Sequence, residues 1–151
     1  MRVTIMKILI TGSEGFVGRH FMKKLDGHDI TEVDIVHANP IDARDFFRYD
    51  DTHYDLVVHL AAVVGGRATI EGAPLSVAVD LAIDSEAFQW AIRTKPKHFI
   101  YYSSSAAYPI YLQEEYDGLF KNQARQKEDW IDLNDISNPD LTYGCSKLTG
   151  E

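Results

Sequence analysis

A single cysteine, Cys145, in 151 residues excludes an intramolecular disulfide framework and any cysteine-rich metal site. Histidine offers no substitute. His20, His28, His37, His53, His59 and His98 show nothing like the H-E-x-x-H spacing, so no metal is expected, and His59 reads as a strand-end core residue. Long apolar runs are also lacking: no stretch approaches the roughly 18 residues of a spanning helix, and residues 1–6 are too short and polar for a secretory signal. No membrane partner is therefore expected. Basic residues are scarce, with 15 Lys and Arg against 23 Asp and Glu and a net charge of −8. Nucleic acid, whose backbone demands clustered cations, is thereby disfavoured as a partner. The acidic balance suits a soluble, cytoplasmic enzyme, and 45% apolar content is enough for the core of one domain.

What the chain does contain is a run of chemistry-bearing motifs in a telling order. Residues 7–11, Lys-Ile-Leu-Ile-Thr, form an apolar, β-branched run expected to be a buried parallel strand. Gly12, Gly15 and Gly18 follow at once. Such glycines permit a tight turn, close approach of a pyrophosphate, and close packing of the next helix. That helix is expected over 15–25 through Phe16, Val17, Phe21, Met22 and Leu25, with its N-terminus offering N–H groups and a positive dipole end to phosphates. Asp34, sixteen residues after Gly18, ends the second expected strand. A carboxylate there accepts from both ribose hydroxyls and repels a 2′-phosphate, which favours NAD; Arg19 and Arg44 keep NADP open.

Further on, Tyr143 and Lys147 stand four apart, on one face of an expected helix. A free tyrosine titrates near about 10. Bringing it to neutrality requires roughly 4 kcal/mol of phenolate stabilisation, and one cation at about 5 Å in a dielectric of about 20 supplies roughly 3. A second positive charge is wanted, which an oxidised nicotinamide ring would provide. Upstream, Ser103, Ser104 and Ser105 close another apolar run, where ligands of open α/β sheets bind.

Together these residues resemble the extended branch of the short-chain dehydrogenase/reductase superfamily, the nucleotide-sugar epimerases, dehydratases and reductases. Thr11-Gly-Ser-Glu-Gly-Phe-Val-Gly18 is similar to that branch's glycine turn, residues 55–62 to its fourth strand, and residues 101–109 to its fifth. The resemblance implies a Rossmann-like, doubly wound parallel sheet: one NAD(P)-binding domain over 1–151, cut off before a C-terminal substrate-binding part. It implies Ser104, four residues before Tyr108, as the active hydroxyl, with Ser105 in reserve. Tyr143 becomes the base that takes a sugar hydroxyl proton during hydride transfer, and Lys147 also holds the nicotinamide ribose. Cofactor contacts are expected from Gly12, Gly15, Phe16, Val17, Gly18, Asp34, Asp42, Ala43, Leu60, Ala61, Ala62, Tyr143 and Lys147. A nucleotide sugar is the implied substrate and a homodimer the family's common assembly. The alternatives are an NADP-dependent sugar-nucleotide reductase and a catalytically silent dinucleotide-binding module.

Three departures bear on the chemistry. Residues 63–67 resemble the Gly-Gly loop of the GDP-sugar branch, yet Ala106 stands where that branch carries an acid/base cysteine. Cys145 lies inside the tyrosine–lysine stretch and reads as packing. Asp80 occupies the place of a usual asparagine, and either side chain can bond nearby backbone.

The coarse reading places strands near 7–11, 29–34, 56–60 and 98–103, and helices near 15–25, 43–48 and 76–93, with another from Tyr143. Only seven residues separate Asp34 from Asp42, too few for a helical crossover, so the third strand is expected to be short or displaced, with Ile41, Asp42 and Ala43 resembling the segment that contacts adenine. In the 76–93 helix, Leu81, Phe88 and Ala91 are expected to form the core stripe, with Trp90 covering its edge. The acidic 109–142 connection is expected to form a flap or partner surface.

Overall fold

A parallel sheet grows from the apolar run that follows Met6. The structure, a computed structural model, describes residues 4–36, 38–65, 67–110, 115–116, 119–120, 130–131 and 139–151, without the side chains of Arg67 and of residues 115, 116, 119 and 120. The chain divides into two compact units, one of residues 1–62 and 82–102, the other of 63–81 and 103–151.

In the first unit, β1 (Lys7–Thr11), β2 (Asp29–Val33), β3 (Leu56–His59) and β4 (Phe99–Tyr101) form one sheet in the order β2-β1-β3-β4. Every pairing is parallel, with Leu9 opposite Thr31 on one side and Val57 on the other. Parallel strands covered on both faces read as continuous apolar runs, and Ile8, Leu9, Ile10, Val57 and Val58 are all fully buried. The two-residue period divides them. Ile8, Ile10 and Val58 face Phe21, Met22 and Leu25, of which Phe21 and Met22 belong to helix α1 (Phe16–Lys24) and Leu25 is its C-cap. On the other face an aromatic cluster joins Phe47 of helix α2 (Ala43–Tyr49) to Trp90, 5.4 Å between ring centroids, and to His59, also 5.4 Å.

Expected strand and helix positions agree with these elements to within one or two residues at most ends. Two expectations are corrected. Among the described residues no strand lies between Val33 and Leu56: the chain closes a loop in which the Ile41 N–H donates to the Asp34 carbonyl at 2.9 Å, then enters α2 capped by the Asp42 side chain. The second concerns the helix expected over 76–93, which comprises α4 (Pro74–Val77) and α5 (Val79–Thr94), preceded by α3 (Arg67–Gly72). Leu81 is exposed and Trp90 wholly buried, the reverse of the expectation. Ile83, Asp84, Ala87 and Trp90 make the inward stripe. A carboxylate inside the stripe hid it from an apolar pattern, and the Trp90 indole N–H donates to Asp50 at 3.1 Å.

The second unit contains α3, α4, a 3₁₀ turn over Ser105–Ala107, the two-stranded ribbon β5 (Glu115–Tyr116) and β6 (Leu119–Phe120), and helix α6 (Leu141–Gly150). Helix α6 packs on the 3₁₀ turn and on α3 and α4. Most of the 109–142 connection lies outside the described residues, so the flap expected there does too. No helix among the described residues is long and apolar enough to cross a membrane.

Candidate active site

Strand β1 lies between β2 and β3, so its carboxyl end is the point where the strand order reverses, and the glycine turn emerges there. Gly12 takes φ of +71°, and a Cβ on it would fall 2.8 Å from the Leu60 carbonyl carbon and 2.9 Å from the Ala61 nitrogen. Gly18 is tighter still: a Cβ would sit 2.1 Å from the Gly12 carbonyl oxygen. Gly15 is exposed and caps α1 with no side-chain hydrogen bond, and Phe16 and Val17 are 78% and 41% exposed. The N–H groups of Phe16, Val17 and Gly18 have no acceptor within the helix; the first intrahelical bond runs from Arg19 N–H to Gly15. Open space, free donors and the helix dipole together suit an anion such as a pyrophosphate. Beside them the Ser13 hydroxyl is buried without a hydrogen-bond partner among the described residues.

Asp34, just beyond β2, has one carboxylate oxygen accepting the Glu14 N–H and the other the Val36 N–H, both at 2.9 Å. It thus ties the turn to the end of β2, and each oxygen keeps a lone pair. Asp42 accepts from the Arg44 backbone N–H and from its guanidinium, at 3.0 Å from Nε and 2.5 Å from the terminal nitrogen. The Arg44 side chain holds the Asp42 carboxyl below the usual carboxylate range, and Asp42 in turn pushes the Arg44 guanidinium up. Ala43 is buried, Arg19 exposed, and Leu60, Ala61 and Ala62 are half-buried at the exit of β3.

Beneath the turn runs a polar chain that sequence reasoning missed. Thr11 Oγ1 lies 2.7 Å from His59 Nδ1, His59 Nε2 lies 3.1 Å from Asp84 Oδ1, and the Tyr101 hydroxyl donates to Asp84 Oδ2 at 2.7 Å. His59 is a buried strand-end residue, as expected, but its hydrogen bonds were not foreseen. Thr11, His59 and Tyr101 are the last residues of their strands, which is the only signal the sequence held.

In the second unit, Ser104 adopts extended backbone and caps the 3₁₀ turn, its Oγ accepting the Ala106 N–H at 3.2 Å. Ser105 opens the turn and is exposed, while the Ser103 hydroxyl is buried without a hydrogen-bond partner among the described residues. Tyr143 and Lys147 ride on α6, with Lys147 only 4% exposed and its Nζ 6.0 Å from the Tyr143 ring centroid. What seats this helix on the serine turn is Gly144. A Cβ there would meet the Ala106 carbonyl oxygen at 2.2 Å, and that same oxygen accepts the Asp140 N–H at 2.9 Å. Neither Gly144 nor the Ala106 carbonyl was singled out from sequence; a glycine directly after the tyrosine was the available clue. Ala106 itself is buried, and Cys145 is a half-buried free thiol. Asp80, fully buried, accepts the Val63 N–H at 2.6 Å and so anchors the start of the 63–67 loop. No cluster able to hold a metal ion occurs among the described residues.

The family model described as the NAD dependent epimerase/dehydratase family matches residues 8–151. The chain belongs to that family. No curated protein matches it in sequence. Among solved structures, this family member is similar to the UDP-glucose 4-epimerase of Thermotoga maritima, at 23% identity and a TM-score of 0.71, over 96% of this chain and 48% of that one. It is similar also to the UDP-glucose 4-epimerase of Thermus thermophilus in complex with NAD, at 21% identity and 0.68, over 96% and 48%. The GDP-mannoheptose C4 reductase of Campylobacter jejuni with NADP bound matches at 18% identity and 0.70, over 99% and 46%. At these identities the likeness shows the fold, and the chain spans less than half the length of each of the three.

Proposed function

We propose that this chain carries the cofactor-binding groups and the proton-transfer groups of an NAD-dependent nucleotide-sugar epimerase or dehydratase. The observation that supports the reading is the seating of α6: the helix that carries Tyr143 and Lys147 packs through Gly144 on the carbonyl of Ala106, in the turn that Ser104 caps. A silent dinucleotide-binding module would need the glycine turn and Asp34 but no such arrangement.

The residues present fit the dinucleotide. Gly12, Gly15 and Gly18, with Phe16 and Val17, would hold its pyrophosphate, Asp34 the adenosine ribose, Asp42 and Ala43 the adenine, and Leu60, Ala61 and Ala62 its flank. When bound, NAD supplies the hydride acceptor and a second positive charge. Ser104 donates its O–H to the reacting sugar oxygen, because its own oxygen already accepts from Ala106. Tyr143, as phenolate, takes the proton from the sugar hydroxyl as the carbon gives up hydride, leaving a carbonyl. Lys147, buried near the ring, stabilises the phenolate and contributes to holding the nicotinamide ribose. With Ala106 at the cysteine position, inversion through a side-chain acid/base there is not part of the proposal.

NAD is preferred over NADP because Arg44 is engaged in a two-point pair with Asp42, whereas a 2′-phosphate would meet the Asp34 charge. Calorimetric titration with NAD⁺ and NADP⁺ tests this. Saturable NAD⁺ binding is expected, weakened at least about tenfold in Asp34→Ala by the lost charge-assisted bonds. Tyr143→Phe should keep NAD⁺ affinity and lose about 10²–10⁴-fold in hydride transfer from a nucleotide sugar. Tighter NADP⁺ binding would favour the reductase reading, and turnover indifferent to Tyr143→Phe would favour the silent module.

A further inference from the structure

The chain of bonds through His59 has a direction. Thr11 Oγ1 faces two backbone donors, Ala61 N–H at 3.1 Å and Leu60 N–H at 3.2 Å, the latter shared with the Thr11 carbonyl at 3.1 Å, and together they engage both its lone pairs. Its own proton therefore goes to His59 Nδ1, 2.7 Å away, and Nδ1 must be bare. The ring proton then sits on Nε2 and is donated to Asp84, which also accepts the Tyr101 hydroxyl. With His59 neutral in this tautomer, all of these bonds are made at once.

A second ring proton would land on Nδ1 and confront Thr11 with a third donor where no lone pair remains. Either the Ala61 bond or the Oγ1 branch of the shared Leu60 bond must then yield, and the β3 exit where they lie is the wall against which Gly12 makes its turn. We propose that His59 is a positioning residue of the dinucleotide site, whose protonation loosens the glycine turn through Thr11, Leu60 and Ala61. The inference rests on the dinucleotide reading given above. Among the described residues the titratable groups facing His59 are Asp84 from α5 and Tyr101 from β4, and Phe47 and Phe99 add apolar ring faces.

Nitrogen NMR of the 151-residue chain reads the tautomer directly and needs no cofactor. At neutral pH the His59 Nδ1 should resonate as an unprotonated ring nitrogen, and on acidification the Gly12, Leu60 and Ala61 amides should shift with the same midpoint as the ring. In parallel, the NAD⁺ dissociation constant should rise about fivefold through that midpoint, as expected for one lost hydrogen bond. His59→Asn, which keeps an acceptor near the Nδ1 position but cannot titrate, should retain the affinity seen at neutral pH and abolish both the amide shifts and the affinity change. His59→Gln, which keeps a donor toward Asp84 but no acceptor for Thr11, should bind NAD⁺ weakly throughout. A protonated Nδ1 at neutral pH, or amides that ignore the ring, would overturn the proposal, as would NAD⁺ affinity that stays flat while the amides move. Absence of NAD⁺ binding at every pH would instead sink the dinucleotide reading, and with it the positioning role, even where the NMR titration upholds the bond network.

Discussion

The two units offer their functional groups in different ways. In the first, the proposed phosphate cradle is mostly main chain: glycines without Cβ atoms, helix N–H groups, and an aspartate pinned to two further N–H groups. In the second, the proposed chemistry rests on three side chains, and the main chain serves only to seat them. A site made of backbone is sensitive to added atoms, whereas one made of side chains is sensitive to atoms removed. Gly144 is the exception that joins the two styles, because a missing Cβ in the second unit is what lets a side-chain site form.

The harshest way to break that contrast is Gly18→Ala. Its Cβ would lie 2.1 Å from the Gly12 oxygen and 2.6 Å from the Ser13 oxygen, both backbone atoms that cannot swing aside. A loss of at least about 3 kcal/mol is expected, read by denaturant unfolding, with hydrogen-exchange protection falling first around β1 and α1. Gly144→Ala should cost about 2 kcal/mol and strike the other unit. By displacing α6 from the Ser104 turn it should lower hydride transfer about 100-fold, the usual consequence of roughly 1 Å of misplacement, while NAD⁺ affinity, which loses only the contacts proposed for Tyr143 and Lys147, falls less than in Gly18→Ala. Equal loss of affinity in both variants would erase the distinction between the units.

A smaller effect sharpens it. Tyr54 in the first unit is buried, its hydroxyl donating to Thr31 Oγ1 at 3.2 Å, and burial pushes its phenol up. The fold therefore favours the neutral phenol. That contribution is fully present below the ordinary titration near about 10 and is lost as pH climbs through the raised value. Thermal unfolding of Tyr54→Phe should show a flatter alkaline limb than the parent, and an unchanged limb would mean that Tyr54 titrates alike in the folded and unfolded chain.

Sequence alone revealed most of the sheet, because Lys7-Ile-Leu-Ile-Thr11 and the strand through Val57 and Val58 are buried on both faces and admit nothing polar until their ends. It revealed the glycine turn because the three glycines fall directly between an apolar strand run and an amphipathic helix, a context the bare spacing alone does not supply. Helix α5 was misread for the opposite reason. Asp84 points inward to His59 and Tyr101, so its carboxylate looked like a surface residue, and the assumed stripe rotated until Leu81 lay inside and Trp90 at the edge. The loop found among the described residues in place of the expected third strand was half legible: the short spacing ruled out a crossover helix before Asp42, but gave no sign that a hydrogen bond from Ile41 to Asp34 would close a simple loop. The serine turn shows the same limit. Counting back from Tyr108 selects Ser104, yet nothing in the count says that its oxygen would be used as a cap.

That cap decides what kind of reagent Ser104 can be. A nucleophilic serine must swing a lone pair toward an electrophile and surrender its proton to a base. Ser104 Oγ is instead held by the Ala106 N–H, so its torsion is set in advance and attack would unravel the turn on which α6 rests. The hydroxyl is thereby built for non-covalent work: covalent trapping reagents aimed at activated serines should pass it by.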